Sequence, residues 1–137
     1  MAPAINVAMA QRLVRKLCVK CKKEVAATKE EAEKIEKEIA ELPPGIEKPK
    51  LKKPLTLWRV SSCAECHNTG YKGRVGVFEL VLVDDEIEQM IFKKPSEVEI
   101  KKAAVKQGQI TMRQDGILKV IAGITDLAEV ERVVGTG

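Results

Sequence analysis

Cys18, Cys21, Cys63 and Cys66 are the four cysteines of this chain, and they fall into two Cys-x-x-Cys pairs. Two such dithiols supply the four soft ligands that a tetrahedral Zn²⁺ takes, each pair spanning one edge of the coordination sphere. Four thiolates leave no position for water, so a site of this kind holds structure and does no chemistry at the metal. Lys16, Lys20, Lys22 and Lys23 flank the first pair and offset the thiolate charge. Gly70 and Gly73 follow the second pair and are expected to let the backbone turn and aim amides at the sulfurs. His67, the one histidine, adjoins Cys66. With the cysteine set complete, it reads as an exposed neighbour rather than a ligand. The rival chemistry is dithiol redox, but that motif opens a helix in a βαβ setting, which the pattern lacks.

The chemistry that is missing narrows the reading further. The 137 residues contain no Gly-x-x-x-x-Gly-Lys-Ser/Thr, hence no phosphate-cradling loop. A single histidine beside a metal ligand gives no nucleophile–base arrangement, so no catalytic residue is assigned. The acidic residues in 84–88 and 126–131 read as helix N-terminal charges and solvated faces. Net charge is +4, with lysines and glutamates interspersed, and Trp58, Tyr71, Phe78 and Phe92 are the only aromatics. That is too little charge excess and too little stacking surface to expect a nucleic-acid partner. No apolar run is long enough to span a bilayer, and the N-terminus lacks a signal-peptide stretch. Paired thiols without a secretion signal fit a reducing, cytoplasmic compartment.

Residues 4–17 carry Ile5, Met9, Leu13 and Leu17 at helical spacing, which predicts a helix running into the first pair. Residues 24–41 predict a second, highly charged helix with a narrow stripe of Ile35, Ile39 and Leu42, and Glu30–Lys34 and Glu33–Lys37 as i, i+4 pairs. This stripe is expected to dock on the protein's own core or on a neighbouring subunit. Pro43-Pro44-Gly45 ends the helix, and 43–54, with four prolines, reads as an extended linker. The 41 residues between the cysteine pairs thus look like a helical arm inserted between two halves of a metal site. Residues 55–60 predict a short strand and 75–83 a longer apolar one. Asp84 or Asp85 is expected to cap a helix to about Phe92, Ser96 with Glu99 forms a capping box, and Gly108 ends the helix that follows. Residues 112–122 make a further helix weakened by Gly116, and Thr125 is expected to cap the last one. The fold class is α+β, mostly α: a tetracysteine zinc-knuckle module with a short β element, then a small bundle of short helices. It divides into 1–23 (helix and first knuckle), 24–54 (charged insertion and linker), 55–83 (second knuckle and strand) and 84–137 (helical segment).

Three separated stretches resemble one family in its own order. Ala10-Gln11-Arg12-Leu13-Val14-Arg15-Lys16-Leu17-Cys18 is similar to the segment ending the nucleotide-binding core of the ATPases that drive type II secretion and type IV pilus assembly. Cys63-Ala64-Glu65-Cys66 with Thr69-Gly70-Tyr71-Lys72-Gly73-Arg74-Val75-Gly76-Val77-Phe78-Glu79-Leu80 resembles their second zinc knuckle. Asp115-Gly116, Gly123-Ile124-Thr125-Asp126-Leu127 and Glu129-Val130 resemble their C-terminal segment. The resemblance implies the C-terminal part of a hexameric, cytoplasmic ATPase held at the inner-membrane face by a platform protein. Cys18, Cys21, Cys63 and Cys66 carry over as ligands of one structural zinc. ATP would bind only the complete protein, whose phosphate loop and catalytic carboxylates have no counterpart here, and Met1 would then mark a shortened gene product. Arg12 and Arg15 read as helix-surface charges, with nucleotide or a neighbouring subunit as the alternative. Arg74 and Glu79 read as a weak surface pair. The partners implied are the rest of the ATPase, neighbouring subunits and the platform protein. The alternative is a freestanding zinc-ribbon module binding nucleic acid or protein.

Overall fold

The computed structural model describes residues 7–51, 53–82, 85–94, 96–106 and 108–135. The segment expected to be the first helix is a strand, β1 (Val7–Leu17), paired antiparallel along its length with β4 (Tyr71–Leu82). Val7 faces Leu82 and Arg15 faces Arg74, but Leu17 faces Tyr71. Two β4 residues, Lys72 and Gly73, therefore oppose Lys16 alone. Such a bulge sharpens the local twist where the ladder meets the cysteines. The helical reading failed because a strand 11 residues long is stabilised by a partner far away in sequence, which local spacing does not register. Met9 and Leu13, which recur at helical spacing, are 60% and 49% exposed, while Val14 is fully buried.

A second, smaller ladder joins β2 (Lys23–Ala26) to β3 (Thr56–Arg59), so that Lys23 faces Arg59 and Ala26 faces Thr56. It closes the base of the excursion that leaves after the first cysteine pair and returns before the second. Helix α1 (Lys29–Ala40) lies within that excursion. Thr28 caps it: its hydroxyl accepts from the Glu31 amide, and the Glu31 carboxylate accepts from the Thr28 amide. The expected start at residue 24 is displaced because 23–26 pair as a strand first.

Ile35, Ile39 and Leu42 join Leu57, Ile117, Val120, Leu127 and Val130 in one buried cluster. Of the two places expected for the stripe, the structure shows the protein's own core. The segment does not stand off as an arm. Leu57 comes from β3 and the remaining members from α4 (Met112–Ile121) and α5 (Leu127–Val134), so the C-terminal helices bury their apolar faces against α1 as well as each other. Gly116 has a packing reason: a Cβ there would lie 2.7 Å from Val130 Cγ1, so its absence lets α4 and α5 approach closely. Helices α2 (Asp85–Phe92) and α3 (Glu97–Lys106) fall where expected, and the Ser96–Glu99 capping box forms in both directions. The expected cap at Asp84 lies outside the described residues. The architecture is α+β, with five α-helices and two two-stranded sheets among the described residues. Its β part is much longer than the short element expected, because the first segment contributes a strand.

The outer edge of β1 is not left bare near the cysteines. The Leu17 amide donates to the Ile124 carbonyl (2.8 Å), the Thr125 hydroxyl donates to the Arg15 carbonyl (2.8 Å), and the Arg15 amide donates to Glu129 Oε2 (2.8 Å). The turn between α4 and α5, and the first turn of α5, thus satisfy backbone groups that a third strand would otherwise pair. Thr125 is consumed by this bond, and Asp126 caps α5 instead, accepting from the Glu129 amide (3.0 Å).

Candidate metal centre

β1 ends at Leu17 and delivers Cys18 directly to the site, so the first pair follows a strand and not a helix end. The Cys18 amide donates to Gly70 O (2.9 Å), and the Lys22 amide donates to Cys18 O (3.0 Å), which folds Cys21 back toward Cys18. On the other side, extended Cys63 opens a single 3-10 turn, Ala64–Cys66. The amides of Asn68 and Thr69 then donate to Cys63 O (2.9 Å) and Cys66 O (3.1 Å), closing the loop. The chain reverses through His67 and Asn68, both left-handed (φ 53° and 61°), into Gly70 (φ +82°). A Cβ at Gly70 would sit 2.7 Å from Ser61 O. Glycine is therefore needed twice over, for its conformation and for its lack of volume. The reward is a backbone amide placed 3.3 Å from Cys66 Sγ, as expected of a glycine after the pair. Gly73 has another place, in the β4 bulge. His67 is exposed.

The four sulfurs all lie within 4.8 Å of one another. Cys18–Cys63, Cys21–Cys66 and Cys63–Cys66 are separated by 3.8, 3.8 and 3.7 Å. A tetrahedron with metal–sulfur bonds of about 2.3 Å has edges of about 3.8 Å. The donor set and its spacing thus fit a single four-coordinate soft cation such as Zn²⁺, and no disulfide joins the four. Cys18 and Cys66 are buried, Cys21 and Cys63 partly so. Taken alone, the thiols cannot all ionise this close together. Burial, then hydrogen bonding with Cys63, pushes Cys21 up to about 12. At Cys66 burial, the largest single influence, also pushes upward, but hydrogen bonds from the Gly70 amide and with Cys63 and Cys21 together outweigh it and bring the thiol down to about 6. Of the flanking lysines, Lys22 is committed elsewhere. Its ammonium donates to Gly123 O (2.8 Å) and lies 4.5 Å from the centre of the Trp58 ring.

Beside the centre lies a polar network that the sequence reading missed. The Glu129 side chain is fully buried and accepts five hydrogen bonds. One comes from the Arg15 amide, two from the Arg15 guanidinium (3.1 and 3.0 Å) and two from the Arg132 guanidinium (2.8 and 2.9 Å). Arg132, and then Arg15, hold its carboxyl down at about 2 against the opposing push of burial. Arg15 also stacks 4.1 Å from the centre of the Tyr71 ring, and the Tyr71 hydroxyl donates to both oxygens of Asp126 at 3.0 Å. Glu129 and Asp126 do sit at a helix N-terminus as read, but not on a solvated face: they are 1% and 9% exposed. Arg15, read as a helix-surface charge, is a strand residue tying β1 to α5. No ion pair forms between Arg74 and Glu79 among the described residues. A signal for this network was present only in composition: an Arg and a Glu 114 positions apart share no local pattern.

The family described as type II/IV secretion system protein matches residues 1–132. The type II secretion system ATPase E of Vibrio cholerae is 38% identical over 91% of the chain, which covers 22% of that protein. The type IV pilus assembly ATPase PilB of Thermus thermophilus is 38% identical over 89% of the chain, covering 13% of that protein. PilB of Pseudomonas aeruginosa is 37% identical over 97% of the chain and is likewise covered over 22% of its length. The chain therefore spans between about an eighth and about a fifth of the length of these relatives. No helix among the described residues is long and apolar enough to cross a membrane.

Proposed function

The chain belongs to the type II/IV secretion system protein family, and on that premise we propose that it is the zinc-stabilised C-terminal portion of a secretion or pilus-assembly ATPase. The observation that carries this reading is the meeting of four thiols at tetrahedral spacing inside a chain that the family matches over residues 1–132. Cys18 and Cys21 are fixed to the end of β1, and Cys63 and Cys66 to the approach of β4. When bound, Zn²⁺ would neutralise the four thiolates and cross-link these two points. The residues around them then hold the ladder in register at the end where the bulge and the excursion 22–62 meet. The role is structural: it keeps α1 against α4 and α5 and completes a surface for the rest of the motor.

On this reading the ATP-binding and catalytic residues belong to the remainder of the protein, and this portion hydrolyses nothing by itself. Its partners are that remainder, neighbouring subunits of a hexamer and an inner-membrane platform protein, which places it in the cytoplasm at the membrane face. Two measurements test the proposal. Native mass spectrometry should find one zinc per chain, and a chain that takes up no zinc when the ion is supplied would refute the metal assignment. An immunoblot of source cells should show a band several times heavier than 15.1 kDa. A band at the mass of this chain would refute its place within a motor subunit.

A further inference from the structure

Leu13, Arg15, Arg74 and Arg132 line a depression of about 350 Å³. Its three guanidiniums come from three elements, β1, β4 and α5. A single carboxylate, that of Glu129, stands behind two of them, and its bonds use Nε and Nη2 of both Arg15 and Arg132. The Nη1 edge of each remains. Arg74 faces Arg15 across the ladder, is exposed, and has no hydrogen-bond or ion-pair partner among the described residues. Three positive charges thus meet one negative charge, which is already saturated by its five donors. Two of the three arginines are also held still. Arg15 is fixed by its backbone, its fork and the Tyr71 ring, and Arg132 by its two-pronged contact with Glu129. Surface arginines ordinarily lose side-chain freedom on binding a ligand; these have lost most of it on folding.

We infer that this depression binds a phosphate group, carried by a small soluble anion or by a lipid headgroup. A planar guanidinium presents paired donors that match a tetrahedral oxyanion. Convergent guanidiniums on fixed stems bind such a group better than scattered surface charges do. Leu13 supplies an apolar wall that lowers the local dielectric on one side. The site requires neither the metal assignment nor the family reading.

The test uses the zinc-loaded chain and inorganic pyrophosphate as the probe, followed by calorimetric titration at low salt. Saturable binding at one site per chain is expected, weakening as salt is added. Arg74→Ala should weaken it about tenfold or more while leaving the thermal transition in place, because Arg74 makes no contact that folding depends on. Lys20→Ala, an equal loss of charge at an exposed position away from the depression, should leave binding unchanged. A second arm measures co-sedimentation with vesicles of phosphatidylglycerol in phosphatidylcholine, against phosphatidylcholine alone. Sedimentation lost in Arg74→Ala assigns the phosphate to a headgroup, and pyrophosphate binding without sedimentation assigns it to a soluble anion. Binding of neither probe, equal binding by Arg74→Ala, or equal loss in Lys20→Ala would overturn the site.

Discussion

Glu129→Gln removes one charge from the point where β1, α5 and two arginines meet, and its cost can be worked from the structure. The native carboxyl titrates at about 2, against about 4.3 for an unperturbed glutamate. That difference corresponds to about 3 kcal/mol of stabilisation of the ionised form, as an order of magnitude. The Arg15 and Arg132 side chains remain 44% and 58% exposed, so water re-solvates them in the variant and lowers the loss. In the other direction, glutamine offers one acceptor oxygen and an NH₂ group where five donors converge, leaving at least one donor facing another donor. The net expectation is a loss of about 2–3 kcal/mol, or roughly 6–12 °C in Tm for a chain of this size. Urea unfolding of the zinc-loaded protein, followed by circular dichroism, measures it directly, with an unchanged slope showing that the unfolded state is unaltered. The pH dependence has a fixed sign. A carboxylate with a lowered folded pKa contributes in full above its unfolded value, and its contribution fades as pH falls through the folded one. The gap between wild type and variant should therefore be constant above about pH 5 and close between about pH 4.5 and 2. Metal loss in acid is common to both and leaves the gap unaffected. A loss below about 0.5 kcal/mol at neutral pH, within the range of an ordinary surface substitution, would refute the claim that this carboxylate joins strand to helix.

Three further outcomes follow from the site and the core. Cys63→Ser, or complete chelation, should lower the thermal transition by about 10 °C or more, because metal binding and folding of the cysteine loops are one process; an unchanged scanning-calorimetry transition would contradict this. Gly70→Ala should cost about 2–4 kcal/mol, since the backbone there is left-handed and the new methyl meets Ser61 O. It should also speed zinc release to a colorimetric chelator by disturbing the amide at Cys66 Sγ, and release at the wild-type rate would count against that amide's role. Ile35→Ala, at a fully buried position, should cost about 2–5 kcal/mol in denaturant unfolding. A value near zero would mean that α1 is an appendage after all.

What could be read from the sequence was local. The cysteine spacing, the Ser96–Glu99 box, the stripe of α1 and the strand at 56–59 each occupy a few consecutive residues whose side chains or caps interact within a turn or two. β1 could not be read this way. Its apolar residues fit a helical stripe by coincidence, and its partner lies more than fifty positions later. The apolar run of β4 does carry one clue: a strand of that length needs a partner of matching length, because an unpaired strand is not stable in water. The Arg15–Glu129–Arg132 network was hidden for the same reason, and so was the cap at α5. Thr125 and Asp126 are both good capping residues, and only the tertiary demand of the Arg15 carbonyl decides which one the helix receives.

The position of the cysteines on the β1–β4 ladder bears on how the chain reaches its fold. Pairing Leu17 with Tyr71 encloses the whole of 18–70, and every rung formed first must overcome the entropy of closing that loop. Such non-local pairing slows folding. Cys18 adjoins the last residue of β1, and Cys66 lies just ahead of β4. A cation captured by both pairs would bring the strand ends together before any rung exists, and the ladder could then zip outward from Leu17 and Tyr71 as a hairpin does from its turn. Zinc supplied during refolding should therefore accelerate formation of the sheet, whereas zinc added afterwards would raise only its final stability. Stopped-flow traces with the two orders of addition would separate a catalyst of strand pairing from a mere clasp.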